Sequence, residues 1–120
     1  DQNSQCSKID IDLEILKIVK KGMVGACSEG GTAFPLFGFE PKIACKTGTA
    51  EYVRPDGKMG IHAWFTAFAP VDDPTISVTV LVEGGGEGSR VAAPIARKIF
   101  AKYFGVEDKF NYTATSGEGE

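Results

Sequence analysis

Three short stretches rich in β-branched and aromatic residues follow one another in the middle of the chain, and they narrow the possible folds most. They are Lys42–Glu51, His62–Ala69 and Ile76–Val82. A Pro-Asp-Gly sequence at 55–57 and an Asp-Asp-Pro sequence at 72–74 are typical of turns between them. Connections this short join antiparallel neighbours, because parallel strands need a crossover of a dozen or more residues. The pattern therefore predicts a three-stranded antiparallel meander.

The second of these stretches is apolar on both faces of the predicted sheet. Along it, Trp64 and Phe68 alternate with Phe65 and Ala67, a pattern typical of a central strand that is covered on both sides. We therefore expect this stretch to be the central strand, with Trp64, Phe65 and Phe68 in the hydrophobic core.

Helical periodicity flanks the strands on both sides. A first helix is predicted to begin after Asp10 or Asp12, either of which can cap it, and to end near Cys27. A second helix is predicted to begin after Ser89, which can cap it, and to reach Phe104; Pro94 is tolerated only near its start and otherwise implies a kink. The apolar positions at three- and four-residue steps are Ile15, Leu16, Val19, Met23 and Ala26 in the first helix and Val91, Ile95, Ile99 and Tyr103 in the second.

The order helix, connector, three strands, helix predicts the α+β class, with helices packed on an antiparallel sheet. At 120 residues the chain has the length of one domain. We expect a disordered lead-in at residues 1–9, a folded part at 10–104 and a frayed tail at 105–120. The net charge of −3 argues against a nucleic-acid partner. No apolar run approaches the roughly 18 residues that span a bilayer.

Cysteine and histidine are too few and too scattered for a metal site. Cys6, Cys27 and Cys45 lie far apart, and His62 is the sole histidine, which excludes a zinc ribbon and a disulfide framework. We expect no metal and no cofactor, and at most one disulfide within the chain. His62 is expected to be a partly exposed residue at a strand end, and a general base is the alternative.

The segment whose residues are best suited to binding or catalysis is Lys46-Thr47-Gly48-Thr49, on the first predicted strand. Lys46 is a point cation that attracts a carboxylate. Thr47 and Thr49 share a face of the strand, so their two hydroxyls can converge on one anionic group. Gly48 leaves room for another backbone to approach. The segment therefore indicates a carboxylate-binding strand, and an ordinary solvated edge strand is the alternative.

The wider sequence resembles the transpeptidase domain of class B penicillin-binding proteins, and most of all the elongation-type branch often called penicillin-binding protein 2. The resemblance extends from about Leu13 to Phe104, in order and at the family's spacing. It implies a β-lactamase/transpeptidase-like fold with five antiparallel strands, of which this chain would hold three. It is carried by residues 30–33 (Gly-Gly-Thr-Ala), 46–51 (Lys-Thr-Gly-Thr-Ala-Glu), 62–70, 80–85 and 92–97.

This resemblance implies roles for the four matching residues of the strand. Lys46 would set the electrostatics of the acylation site and attract the substrate carboxylate, and the Thr47 and Thr49 hydroxyls would bind that carboxylate. The backbone N–H of Thr49 would be one of two oxyanion donors. Gly48 would keep the strand open to substrate, so an extended peptide could add to its edge. Lys46 and Thr49 are thus the expected catalytic residues.

Two other motifs of that family are missing from these 120 residues. No serine lies three residues before a lysine, and neither Asn3 nor Asn111 follows a serine by two positions. We therefore expect the C-terminal part of a peptidoglycan D,D-transpeptidase domain, inactive alone because its nucleophilic serine lies outside this chain. A non-catalytic penicillin-recognising sensor or structural homologue would share the same strand and is the alternative.

The resemblance also implies partners and a location. The expected ligands are peptidoglycan stem peptides and β-lactams, and the expected protein partner is the N-terminal half of the same domain. Because two strands would be supplied from outside, the Ile76–Val82 strand would have an unpaired apolar edge prone to self-association. The expected location is the extracytoplasmic face of the bacterial cytoplasmic membrane, with an anchor outside this chain and a role in cell-wall synthesis and cell shape.

Cys45 departs from the family pattern, which commonly has glycine or another small residue there. Strand alternation points its side chain away from Lys46, so we expect Cys45 to pack in the interior as a buried thiol. A disulfide with Cys27 is the alternative, which an oxidising compartment permits.

Overall fold

The fold, described for residues 5–112 in a computed structural model, has the predicted order of elements. Within those residues no helix is long and apolar enough to cross a membrane. The elements are α1 (Leu13–Ala26), a 3-10 turn (Phe34–Leu36), β1 (Ala44–Val53), β2 (Met59–Ala69), β3 (Ile76–Val82), a π-helical turn (Gly88–Ala92) and α2 (Ala93–Phe104).

The strands form one antiparallel sheet in the order β1-β2-β3, which confirms the meander and its α+β class. In the register across the sheet, Gly48 lies opposite Trp64, and Trp64 lies opposite Leu81. β1 and β2 extend further toward their shared turn than predicted. The turn between them is closed by the ion pair of Arg54 with Asp56, whose nitrogen and oxygen lie 3.0 Å apart.

The hydrophobic core lies between α2 and one face of the sheet. Phe65 on β2 and Phe100 on α2 are its largest fully buried side chains, and small alanines at positions 63, 67, 93 and 96 let the helix approach the sheet closely. α2 begins at Ala93 with Pro94 in its first turn, where proline is tolerated. Ser89 does not cap it, because the π-helical turn comes first and holds Ser89. Gly105 ends the helix in the left-handed conformation that glycine adopts readily.

The other face of the sheet is open, and here one sequence prediction is wrong. Trp64 and Leu81 lie side by side on this face with 39% and 43% of their surface exposed, and Phe68 is half-buried. Of the three aromatic residues expected in the core, only Phe65 is fully buried. The reason is that, in the part of the chain the structure describes, α2 covers one face of β2 and no helix covers the other.

α1 confirms the first predicted helix and its cap, but not the burial of its apolar stripe. Asp12 caps it, since its side-chain oxygen accepts hydrogen bonds from the backbone N–H of Glu14 and Ile15 at 2.8 Å and 3.2 Å. Ile15 and Val19 remain 56% and 51% exposed. Burial rises only toward the C-terminal end of the helix, which lies against β1.

A disulfide joins the end of α1 to β1. Cys27 and Cys45 are bonded, with their Cα atoms 5.8 Å apart, and both are buried. The expected burial of Cys45 is therefore confirmed, while its side chain forms the alternative disulfide rather than a free thiol. Cys6 is exposed and free. The bond fixes the loop after α1 beside the strand that carries Lys46.

The segment after α2 folds back against that helix. Arg97 donates a hydrogen bond of 2.8 Å to the carboxylate of Asp108 and another of 2.7 Å to the carbonyl of Pro35. The Tyr112 hydroxyl and the Phe110 backbone N–H also donate to Asp108. Residues 108–112 are thus held in place. The remainder of the predicted tail, 113–120, and the lead-in up to residue 4 lie outside the described residues.

These contacts shift the pKa values of the Asp108 carboxyl and the Tyr112 hydroxyl in opposite directions. Burial alone would raise the pKa of the Asp108 carboxyl. Hydrogen bonds from Tyr112, Arg97 and Phe110, together with the charge of Arg97, outweigh burial and hold its pKa below the ordinary 3.8. Burial and the bond to this carboxylate raise the pKa of the Tyr112 hydroxyl well above its usual range.

We expect one reactive thiol per chain before reduction and three after it, because Cys27 and Cys45 are bonded and Cys6 is free. Alkylation of the unfolded, unreduced protein followed by mass spectrometry measures the count, with a reduced sample as control. Three alkylated cysteines without reductant would contradict the pairing.

We expect Asp108→Asn to lower the free energy of unfolding by about 2 kcal/mol near pH 7, since a charged hydrogen-bond acceptor is lost. The pKa of the Asp108 carboxyl is lower in the folded protein than in the unfolded chain, so its charge stabilises the folded state when the pH is above the unfolded pKa. This stabilisation is lost as the pH falls through the pKa of the folded state. The difference should therefore shrink as the pH falls below 3.8, the ordinary pKa of the carboxyl. Urea unfolding of the wild type and of Asp108→Asn, at about pH 7 and at a pH well below 3.8, measures the difference in the free energy of unfolding. An equal difference at the two pH values would contradict the stabilising role of the Asp108 charge.

Candidate functional site

β1 carries the candidate site on an accessible edge of the sheet. It pairs with β2 on one side and with no other described strand. Lys46 and Thr49 are exposed, and Thr47 and Gly48 are half-buried. Alternate residues of an edge strand turn their backbone N–H and C=O away from the paired neighbour. The predicted residues thus lie together on one edge strand, with Lys46 and Thr49 exposed to solvent.

Strand alternation divides the four residues between the two faces of the sheet. Thr47 and Thr49 share the face of the buried Cys45, whereas Lys46 and Gly48 share the open face with Trp64. The Lys46 ammonium donates a hydrogen bond to the carbonyl of Thr47, its own neighbour. Lys46 makes no ion pair with a described residue, so its positive charge is available to an external anion.

The structure adds one residue that sequence reasoning left without a role, Thr32. Its hydroxyl oxygen lies 3.0 Å from the hydroxyl oxygen of Thr47, and either oxygen can donate. The signal for it lay in the Gly-Gly-Thr-Ala motif at 30–33, which was part of the resemblance but carried no predicted contact. The fold brings positions 32 and 47 together because the loop after α1 returns to β1.

Backbone contacts hold the loop that carries Thr32. Ala33 donates a hydrogen bond of 2.9 Å to the carbonyl of Ala26, and Gly31 donates one of 2.8 Å to the carbonyl of Ser28. A Cβ atom added at Gly31 would lie 2.3 Å from the carbonyl oxygen of Gly25. Glycine at position 31 is therefore required for this close return of the loop onto the end of α1.

The backbone of Gly48 is approached closely by another segment, the π-helical turn. The buried Gly88, in the π-helical turn, lies so near that a Cβ atom added to it would be 2.5 Å from the Gly48 carbonyl oxygen and 2.1 Å from that of Trp64. A Cβ added to Gly48 itself would lie 2.9 Å from the Cβ of Trp64. Glycine at position 88 is thus needed for the π-helical turn to pack on the sheet beside the candidate site, and glycine at position 48 leaves room for the Trp64 side chain on β2.

His62 is engaged in local structure inside β2, where it lies opposite Ala50, one register position from Thr49. Its Nδ1 accepts a hydrogen bond of 3.0 Å from the backbone N–H of Gly84, and its ring stacks on that of Tyr52 with 3.9 Å between centroids. These contacts favour a structural role over a general base, although His62 lies within β2 and not at the predicted strand end. Within residues 5–112, no cluster of three or more His, Cys, Asp or Glu side chains is placed to hold a metal ion.

Comparison with known protein families gives a match over most of the chain. Residues 1–101 match the model of the penicillin binding protein transpeptidase domain. A curated relative, the peptidoglycan D,D-transpeptidase PbpA of Mycolicibacterium smegmatis, is 48% identical over an alignment of 65 residues, which covers 50% of this chain and 13% of that protein. The chain therefore corresponds to a small part of such a protein.

Solved structures agree with the family match. The complex between penicillin-binding protein PBP2 and MreC from Helicobacter pylori contains a chain that superimposes with a TM-score of 0.72 at 32% identity, covering 87% of this chain and 20% of that one. Pseudomonas aeruginosa PBP2, solved in complex with WCK 5153, superimposes with a TM-score of 0.71 at 30% identity, covering 98% and 26%. The fold is therefore a partial transpeptidase fold.

We expect Gly88→Ala to lower the free energy of unfolding by about 1–3 kcal/mol, because the new methyl group would overlap backbone atoms of Trp64 and Gly48 that cannot move aside easily. Gly22→Ala is the matched control. Its Cβ would meet nothing within 4 Å on α1, so it should be neutral or stabilising by up to about 1 kcal/mol. Urea unfolding compares the two, and equal midpoints would contradict the packing described here.

Proposed function

The chain belongs to the penicillin-binding protein transpeptidase family, in its class B, penicillin-binding protein 2-like branch, and we propose that it forms one wall of the active site of a peptidoglycan D,D-transpeptidase. The observation that carries the proposal is the accessible edge strand with Lys46, Thr47, Gly48 and Thr49 in sequence. The rest of the domain, including the nucleophilic serine, would come from the part of the protein outside these 120 residues.

The proposed reaction is acyl transfer through that serine. Its hydroxyl oxygen attacks the carbonyl carbon of the D-Ala–D-Ala bond, the terminal D-Ala leaves as the amine, and an acyl ester remains on the serine. An amine from a neighbouring stem peptide then takes the acyl group and releases the serine. A β-lactam enters the same first step, with its ring amide as the bond that breaks.

β1 supplies binding and electrostatic stabilisation to this reaction. The Thr47 and Thr49 hydroxyls would hold the substrate carboxylate from the face that they share, and the Thr49 backbone N–H would donate to the oxyanion that forms on the attacked carbonyl. Lys46 would act from the open face, where its positive charge lowers the energy of nearby anionic groups. Gly48 would let substrate lie close to the backbone.

Two uncovered apolar surfaces support a missing half of the domain as the protein partner. One is the open face of the sheet at Trp64 and Leu81, and the other is the α1 stripe that includes Ile15 and Val19. Contiguous exposed apolar surface is typical of an interface. The outer edge of β3 is also without a partner strand among the described residues. The isolated chain would therefore self-associate through this edge unless the other half covers it.

The proposed location follows from the substrate. Peptidoglycan cross-linking takes place on the outer side of the cytoplasmic membrane, so the protein would act in the periplasm or its equivalent, held by an anchor outside these residues. The disulfide of Cys27 with Cys45 supports an oxidising compartment. A role in cell shape is part of this proposal, together with a partner of the kind that the Helicobacter pylori PBP2 complex contains.

A non-catalytic penicillin-recognising sensor is the second candidate. It would keep the carboxylate-binding strand and its threonines, and it would form an acyl ester with a β-lactam without transferring stem peptides. No feature of residues 5–112 favours it, and turnover of a stem-peptide substrate by the intact protein distinguishes the two.

We expect Lys46→Ala and Thr49→Val, each made in the intact protein, to slow acylation by a fluorescent penicillin about a hundredfold, because the first removes the positive charge beside the site and the second removes a hydroxyl that binds the carboxylate of the drug. Gel fluorescence against time measures the rate. Lys58→Ala and Thr75→Val, at exposed positions in turns outside β1, are the matched controls and should acylate at the normal rate.

The 120-residue chain alone serves as the negative control in that experiment and should take no covalent label, since it lacks a serine three residues before a lysine. Normal acylation in both site variants would contradict the assignment of Lys46 and Thr49.

A further inference from the structure

We infer that Thr32 is a positioning residue, which orients the Thr47 hydroxyl so that its proton points at the substrate carboxylate. The inference rests on the proposed function and extends it to a residue outside the Lys-Thr-Gly-Thr strand. It starts from one contact, the 3.0 Å separation of the Thr32 and Thr47 hydroxyl oxygens, and from the exposure of Thr32 beside the accessible strand.

The direction of this hydrogen bond follows from the chemistry of the ligand. A threonine hydroxyl has one proton to donate, and an ionised carboxylate can only accept. Thr47 can therefore bind a carboxylate only with its own proton, which leaves its oxygen as the acceptor toward Thr32. Thr32 must then be the donor. A chain of donation from Thr32 to Thr47 to the carboxylate results, and each bond polarises the next.

The position of Thr32 is set by the fold and not by substrate. The disulfide of Cys27 with Cys45 joins the loop to β1 two residues before Thr47 and on the same face. The hydrogen bond from Ala33 to Ala26 fixes the residue directly after Thr32. The Thr32 hydroxyl is therefore held beside Thr47 before any ligand arrives, so little conformational entropy is lost when the carboxylate binds.

The test compares Thr32→Val with Thr32→Ser in the intact protein, with penicillin G and its methyl ester as probes. Thr32→Val keeps the shape and removes the donor, so we expect the second-order acylation rate with penicillin G to fall about tenfold. Thr32→Ser keeps the hydroxyl and should stay within about twofold of the wild type. The ester presents no carboxylate, so the wild type and Thr32→Val should acylate with it at rates within about twofold of each other.

Other results would contradict either the proposed function or the role of Thr32, and the experiment separates the two. A wild-type protein that penicillin G does not acylate at all would contradict the proposed function. If the wild type is acylated, equal rates for Thr32→Val and the wild type with penicillin G would overturn the role of Thr32. An equal loss with both probes, or a loss in Thr32→Ser as large as in Thr32→Val, would show that Thr32 only packs the loop on β1 and would also overturn it.

Discussion

The pairing of β1 with β2 along one side only is the constraint on which the rest of this structure depends. It fixes the register that puts Gly48 opposite Trp64, and it leaves the other side of the strand open to an extended peptide. Because the hydrophobic core lies on one face of the sheet, strand alternation determines which side chains of β1 face the core and which face the open side. Thr47 and Thr49 turn toward the face that α2 covers, and Lys46 turns toward the face that is open.

Much of the fold could be predicted from local patterns. The bounds of β3, the Asp12 cap of α1 and the order of the strands follow from alternation, capping and turn chemistry, all of which act between neighbouring residues. Burial could not be predicted in the same way, because it depends on which elements are present. Trp64 has the pattern of a core residue, yet its face remains uncovered in the part of the chain that the structure describes.

In the candidate site too, local features could be predicted from the sequence and contacts between distant segments could not. The Lys-Thr-Gly-Thr segment is visible in the sequence because its residues are adjacent, and its placement on an edge strand follows from the short turns. The contact of Thr32 with Thr47 and the close approach of Gly88 to Gly48 join residues that are far apart along the chain. Both arise from loops that return to the sheet, and turn-scale sequence patterns do not show which residue such a loop will contact.

β1 is proposed to hold the carboxylate of a substrate that becomes bonded to a serine elsewhere in the protein. The most direct measurement is a crystal structure of the intact protein after reaction with penicillin G. The account predicts an acyl ester on a serine outside these residues, with the carboxylate of the bound drug within hydrogen-bonding distance of the Thr47 and Thr49 hydroxyls. A carboxylate bound by other residues, with β1 remote from the acyl group, would contradict it.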